Sequence, residues 1–145
     1  MHSKREVNKA VVHCTATLPS CTVATLTNGF KKRGWSAPGY HYVITPEGIC
    51  HQIWPLNSIA NGAKGFNAKS VHVAYMGGIL PGGKPHDTRT LAQRKALRQI
   101  IKYLVNTYPD AAVVGHNELN PGKACPCFNV KNEYGKETLF HSPHT

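Results

Sequence analysis

Apolar positions follow two different rhythms along the chain. Short β-branched runs mark strands, and the first is expected over Val7 to His13, ending in Val11-Val12-His13. Val71-His72-Val73-Ala74-Tyr75-Met76 is another, with Val71, Val73 and Tyr75 on one face. Tyr40 to Thr45 and Ile49 to Trp54 flank the turn Pro46-Glu47-Gly48 and predict an antiparallel hairpin. In that hairpin Tyr40 and Tyr42 share one face, and His41 and Val43 the other. Ala111 to Gly115 is the last strand. Helical spacing appears twice. Val23, Leu26 and Phe30 predict a helix over Thr22 to Arg33, with Ser20 or Thr22 as its cap and Gly34 as its stop. Leu97, Ile100, Ile101, Leu104, Val105 and Tyr108 predict a longer one, opened by a Thr90–Gln93 capping box and ended by Pro109. Residues 55–70 and 77–87 read as loops, and the chain after Phe128 as a loose or short-helical polar tail.

Hairpin and crossover connections are both present. This argues for one α/β domain over residues 1–145, with its core at about 7–130, a mixed central sheet and helices packed on it. His13 and His116 each end a predicted strand. In open α/β sheets, ligands sit where strands end, so both are candidates for a site at that sheet edge.

The stretch Gly115-His116-Asn117-Glu118-Leu119-Asn120-Pro121-Gly122-Lys123-Ala124-Cys125-Pro126 gathers the chemistry. A lone His after a strand is usually solvated or packed, and a lone Cys is usually a small buried hydrophobe. Together, His116 and Cys125 form half of a metal site, and His13 is the best third donor. Two imidazoles and one thiolate leave one coordination position for water, the pattern of a catalytic zinc. Glu118 is the sole carboxylate of the stretch. It competes as a general base, against readings as a solvated loop residue or as a partner to a ligand His.

Composition narrows the rest. A chain of 145 residues with 41% hydrophobic content holds one real core. The net charge of +10 admits polyanionic partners. The basic residues are scattered, however, and Lys31-Lys32-Arg33 falls where a helix C-terminus favours cations. No nucleic-acid module is legible, so no nucleic-acid partner is expected. Five cysteines, an odd number, argue against a disulfide framework, although Cys14 and Cys21 flank a short loop. No apolar run is long enough to span a bilayer, so no membrane insertion is expected. The start, Met1-His2-Ser3-Lys4-Arg5-Glu6, lacks the apolar core of a signal peptide, so synthesis in the cytoplasm is expected. Separately, a monomer is expected.

Several pieces, in order, carry a family resemblance. They are Val11-Val12-His13-Cys14-Thr15-Ala16-Thr17; Gly39-Tyr40-His41-Tyr42-Val43-Ile44 with Gly48; Lys64-Gly65-Phe66-Asn67 with Ser70-Val71; Gly77-Gly78-Ile79; Thr90 with Gln93; Gly115-His116-Asn117-Glu118; and Lys123-Ala124-Cys125-Pro126 with Phe128. The chain resembles zinc-dependent N-acetylmuramoyl-L-alanine amidases of the phage-lysozyme type, related to peptidoglycan recognition proteins. The resemblance implies His13, His116 and Cys125 as Zn2+ ligands, and Tyr40 and Lys123 as the active-site Tyr and Lys. It implies hydrolysis of the bond between N-acetylmuramic acid and L-alanine in peptidoglycan. The setting it suggests is a phage or prophage endolysin that reaches the cell wall after release at lysis. The alternative is a non-catalytic peptidoglycan-binding recognition module. Such relatives typically lack the Cys ligand, which this chain keeps. One departure stands out: where many relatives carry a His before the Lys-Gly-aromatic-Asn piece, this chain has Gly62, beside Asn61. Lys64 and Lys69 are candidates to attract stem-peptide carboxylates.

Overall fold

The computed structural model describes residues 5–141. Its strands are β1 (Lys9–Cys14), β2 (Tyr42–Ile44), β3 (Cys50–Gln52), β4 (Ser70–Tyr75) and β5 (Ala112–Gly115). They form one sheet in the order β3-β2-β4-β1-β5. β1 pairs in parallel with β4 and β5, β2 pairs in parallel with β4, and β3 runs antiparallel to β2. The helices are α1 (Val23–Lys32), α2 (Leu91–Thr107), α3 (His116–Leu119), α4 (Val130–Tyr134) and α5 (Lys136–His141). This is the α/β domain with a mixed sheet that the hydropathy pattern predicts.

Every residue of β4 is buried, as expected of a parallel strand covered on both faces. On one face Val71, Val73 and Tyr75 join Ala10, Val12 and Cys14 of β1, against Leu97, Ile101 and Leu104 of α2. On the other, Val43, Ala74 and Met76 pack with Val23 and Leu26 of α1. Each fully buried aliphatic side chain contributes about 1.5–3 kcal/mol. Thr22, not Ser20, caps α1, its hydroxyl accepting the Thr25 N–H at 3.1 Å. At the hairpin turn Gly48 takes φ +86° and its N–H reaches the Thr45 carbonyl at 2.8 Å.

The capping box of α2 also ties helix to sheet. Thr90 Oγ1 accepts the Gln93 N–H and Gln93 Oε1 accepts the Thr90 N–H, both at 3.0 Å. The Gln93 amide, fully buried, donates to the carbonyls of Ile44 at 3.1 Å and Met76 at 3.0 Å, where β2 and β4 end. Gln93→Leu strips a partner from two buried carbonyls and from the cap. It should lower stability by roughly 2–4 kcal/mol, read as a shifted denaturant midpoint with an unchanged slope.

Two expectations need correction. Tyr40 does not share a face with Tyr42: β2 begins only at Tyr42, and Tyr40, outside the strand, packs against Val43, Ala74 and Met76. The strand's alternation has no hold on a residue beyond its ladder. Residues 129–141 take the short-helical form, through α4 and α5, but they are not a polar tail: Val130, Tyr134 and Leu139 lie in the main core. Arg89 clamps this region. Its guanidinium, only 1% exposed, pairs with Asp87 and Glu133 and lies 3.4 Å from the Phe128 ring centroid. Burial alone would raise both carboxyls, but Arg89 outweighs it and holds them below their usual range. All five cysteines are free thiols. Among the described residues no helix is long and apolar enough to cross a membrane.

Candidate metal centre and cleft

Parallel pairing puts the C-terminal ends of neighbouring β1 and β5 on one side of the sheet. His13 is the next-to-last residue of β1, and His116 opens α3 directly after β5. Their rings lie 4.7 Å apart, centroid to centroid. The loop beyond α3 returns through a turn closed by the Lys123 N–H on the Asn120 carbonyl at 2.9 Å. It delivers Cys125, whose Sγ accepts the Cys14 N–H at 3.1 Å and stands 3.9 Å from His13 Nδ1. One ligand atom from each of His13, His116 and Cys125 falls within 4.8 Å of the others. Two donors sharing a tetrahedral zinc would be about 3.6 Å apart for nitrogen and sulfur, so this donor set fits such an ion. The set also leaves a coordination position free.

Cys127 is not a fourth donor. Its thiol points at the Gly78 carbonyl, 3.5 Å away. Tyr75 holds the intervening residue, its hydroxyl donating to the Pro126 carbonyl at 2.7 Å. Glu118 lies outside the cleft. Its carboxylate accepts the Gly115 N–H at 2.6 Å and caps the turn that carries His116, a bond to backbone rather than to a ligand ring.

The electrostatics suit metal ligation. Burial, with His72 and His116 close by, holds His13 well below the ordinary imidazole range. Burial and Lys123 lower His116 as well. Both shifts favour the neutral imidazole, the form that ligates a metal. Cys14, hydrogen-bonded to Cys125 and buried, is pushed upward and remains a thiol.

Tyr40 and Lys123 join the three donors in lining a cleft of about 290 Å³. The Tyr40 hydroxyl donates to the Cys14 carbonyl at 3.2 Å, and its ring lies 5.1 Å from that of His13. Burial, Cys125 and Cys14 push its pKa up, so it stays a hydrogen-bond donor. Phe30 and Trp35, stacked at 5.5 Å, form one wall, with Arg33 over the Trp35 ring at 5.4 Å. The basic groups at this cleft are thus Lys123 and Arg33. Lys64 does not line it, and Lys69 pairs with Glu6 at the opposite end of the sheet, where β4 begins.

Sequence reasoning missed His72 and its neighbour His41. His72 Nδ1 lies 2.8 Å from His13 Nε2. His41 Nδ1 accepts the His72 backbone N–H at 3.0 Å, which leaves its Nε2–H to donate to the Ser58 carbonyl at 2.8 Å. The available signal was a polar side chain repeated inside two otherwise apolar strand runs. Burial lowers His41 from 6.5 to about 4. Between those values the unfolded chain binds a proton that the folded chain refuses. Stability should therefore be full above about pH 6.5, fall as the pH drops towards 4, and lose its His41 slope below that. Denaturant titrations across this range check it, with His41→Gln flattening the slope.

Comparison with known proteins agrees with this geometry. The family model for N-acetylmuramoyl-L-alanine amidase matches residues 3–128. The endolysin of Klebsiella phage KP32 is 33% identical over 143 residues, 97% of this chain and 94% of its own length. The solved Ph2119 endolysin from Thermus scotoductus MAT2119 bacteriophage Ph2119 superposes with a TM-score of 0.75 at 28% identity, covering 94% of this chain and 90% of that one. Drosophila PGRP-LB shares the fold, with a TM-score of 0.68 at 19% identity over 87% of this chain and 78% of its own. With the family model spanning the sheet, the cleft and all three candidate ligands, the chain belongs to the N-acetylmuramoyl-L-alanine amidase family.

Proposed function

We propose that this chain hydrolyses the amide bond between the lactyl group of N-acetylmuramic acid and L-alanine in peptidoglycan. It does so with zinc held by His13, His116 and Cys125. The convergence of those three donors in one cleft with Lys123 and Tyr40, in a chain of this family, is the observation that carries the reading. The phage endolysins among its relatives support a role in lysis, the enzyme reaching the wall after release from the cytoplasm.

Zinc, when bound, supplies the Lewis acidity that activates water and polarises the scissile carbonyl. The chain's own residues do the rest. Neutral His13 and His116 present lone pairs, and Cys125 adds a charged donor. A thiolate gives more electron density than an imidazole, which leaves more of the oxyanion's stabilisation to the protein. The Lys123 ammonium, lining the cleft, is the group to supply it. The Tyr40 hydroxyl, held protonated, turns its single O–H from the Cys14 carbonyl to the attacking water or the scissile carbonyl when substrate enters. Arg33 offers positive charge to stem-peptide carboxylates, and the stacked Phe30 and Trp35 offer an apolar wall.

The recognition-module alternative has less support, because this chain keeps Cys125, Lys123 and Tyr40 together. Clearing of a sacculus suspension separates the two. An enzyme clears it, stops after chelation, and resumes when zinc is restored. A recognition module co-sediments with the sacculi and leaves the turbidity unchanged.

A further inference from the structure

The geometry points to His72 as a positioning residue for the metal centre: its Nδ1 takes the N–H of His13 Nε2 and so keeps the His13 Nδ1 lone pair turned towards Cys125. The inference rests on the metal centre proposed above.

The two nitrogens of His13 face different partners. Nδ1 is the atom 3.9 Å from the Cys125 sulfur, and Nε2 is the atom 2.8 Å from His72 Nδ1. A neutral imidazole carries one N–H. For Nδ1 to ligate, the proton must sit on Nε2, and a buried N–H there needs an acceptor. His13 is 1% exposed and His72 is fully buried, so solvent does not supply one. His72 Nδ1 does, provided that its own proton sits on Nε2.

The fold delivers His72 to that position. Alternation along β4 turns Val71, Val73 and Tyr75 to one face of the sheet and His72 to the other, which His13 shares. His41 then pins the β4 backbone at this point: the His41 N–H donates to the His72 carbonyl at 2.9 Å, and the His72 N–H donates to the His41 ring. The two rings lie parallel, 2° apart in plane. The loop opposite makes room. A Cβ built on Gly62 would stand 2.6 Å from His72 Cγ and 2.7 Å from the Gly39 carbonyl oxygen, and closer still to His72 Nδ1. Only a glycine at position 62 leaves the ring where it is.

Packing alone does not account for the residue. His72 Nε2 is buried with no hydrogen-bond partner among the described residues. A Leu or Met would fill the space without that cost. The imidazole is explained by what its other nitrogen does for His13. Groups that orient a ligand His typically change metal affinity by roughly 10–100-fold.

Zinc affinity, measured by competition with a chromophoric chelator, tests this without reference to turnover. His72→Leu should weaken zinc binding roughly 10–100-fold. His72→Asn places an amide oxygen near the position of Nδ1 and should restore most of the loss. Gly62→Ala, which displaces the ring without touching its chemistry, should weaken binding as well and serves if His72→Leu fails to fold. Thermal melts of the zinc-free proteins report packing separately. Wild-type zinc affinity in His72→Leu or in Gly62→Ala overturns the inference and leaves the metal centre standing. Equal loss of affinity in the Leu and Asn variants overturns it in favour of a packing role. A wild-type protein that takes up no zinc overturns the metal centre and this inference together.

Discussion

Cys125→Ser should leave the protein folded and without retained metal, and should cut hydrolysis of peptidoglycan to background. The substitution changes one atom on a half-buried loop residue, so packing is nearly unchanged. What is lost is the charged donor. Sulfur in this position accepts the Cys14 N–H at 3.1 Å and faces His13 Nδ1 at 3.9 Å. A neutral hydroxyl binds zinc weakly and is shorter, so two imidazoles remain to hold the ion. Loss of an outer partner costs about 10–100-fold in affinity, and loss of a direct ligand should exceed that. Metal content after dialysis, measured beside peptide release from sacculi, reads both effects on one preparation. Retained zinc with full activity would remove Cys125 from the centre.

Lys123→Met should behave differently, keeping the metal and losing rate. Lys123 is exposed at the cleft, so stability should change little. Its ammonium also lowers His116, so its removal relaxes that ring slightly without taking away a donor. If Lys123 stabilises the oxyanion, kcat should fall by about 10²–10³-fold, the usual effect of losing one such donor. Zinc affinity should stay close to that of the wild type. Lys123→Arg keeps the charge but moves it, and should recover only part of the rate. A Lys123→Met variant with unchanged kcat and raised KM would place the residue in substrate binding instead.

The gathering of Cys125 and Lys123 in one loop, after an apolar run that ends in His116, was visible in the sequence. So was the meeting of His13 with His116. Two β-branched runs, each ending in His, pair as parallel neighbours, and parallel neighbours bring like ends together. The stripe of α2 and its capping box were equally legible, since helical period and cap chemistry are local. Contacts across long separations were not. His72 meets His13 across 59 positions, and nothing near either residue announces the other. The sequence reading likewise put Lys69 near the substrate because of its charge, whereas strand direction puts it at the far end of the sheet. α4 and α5 are too short for periodicity to register. Tyr134 and Leu139 therefore entered the core unannounced, Tyr134 held by Arg89 and the ring of Phe128, and the Leu139 carbonyl accepting from Arg98 at 2.8 Å.

The central claim is that one cleft, through one metal, cuts one bond. Mass analysis of the products released from purified sacculi tests it directly, with the protein as purified, after chelation and after zinc is restored. Free stem peptides beginning with L-alanine, together with glycan carrying unsubstituted lactyl groups, are the expected products, absent after chelation and returning with zinc. Glycan fragments with their peptides still attached, or the same products in the presence of chelator, would contradict the account.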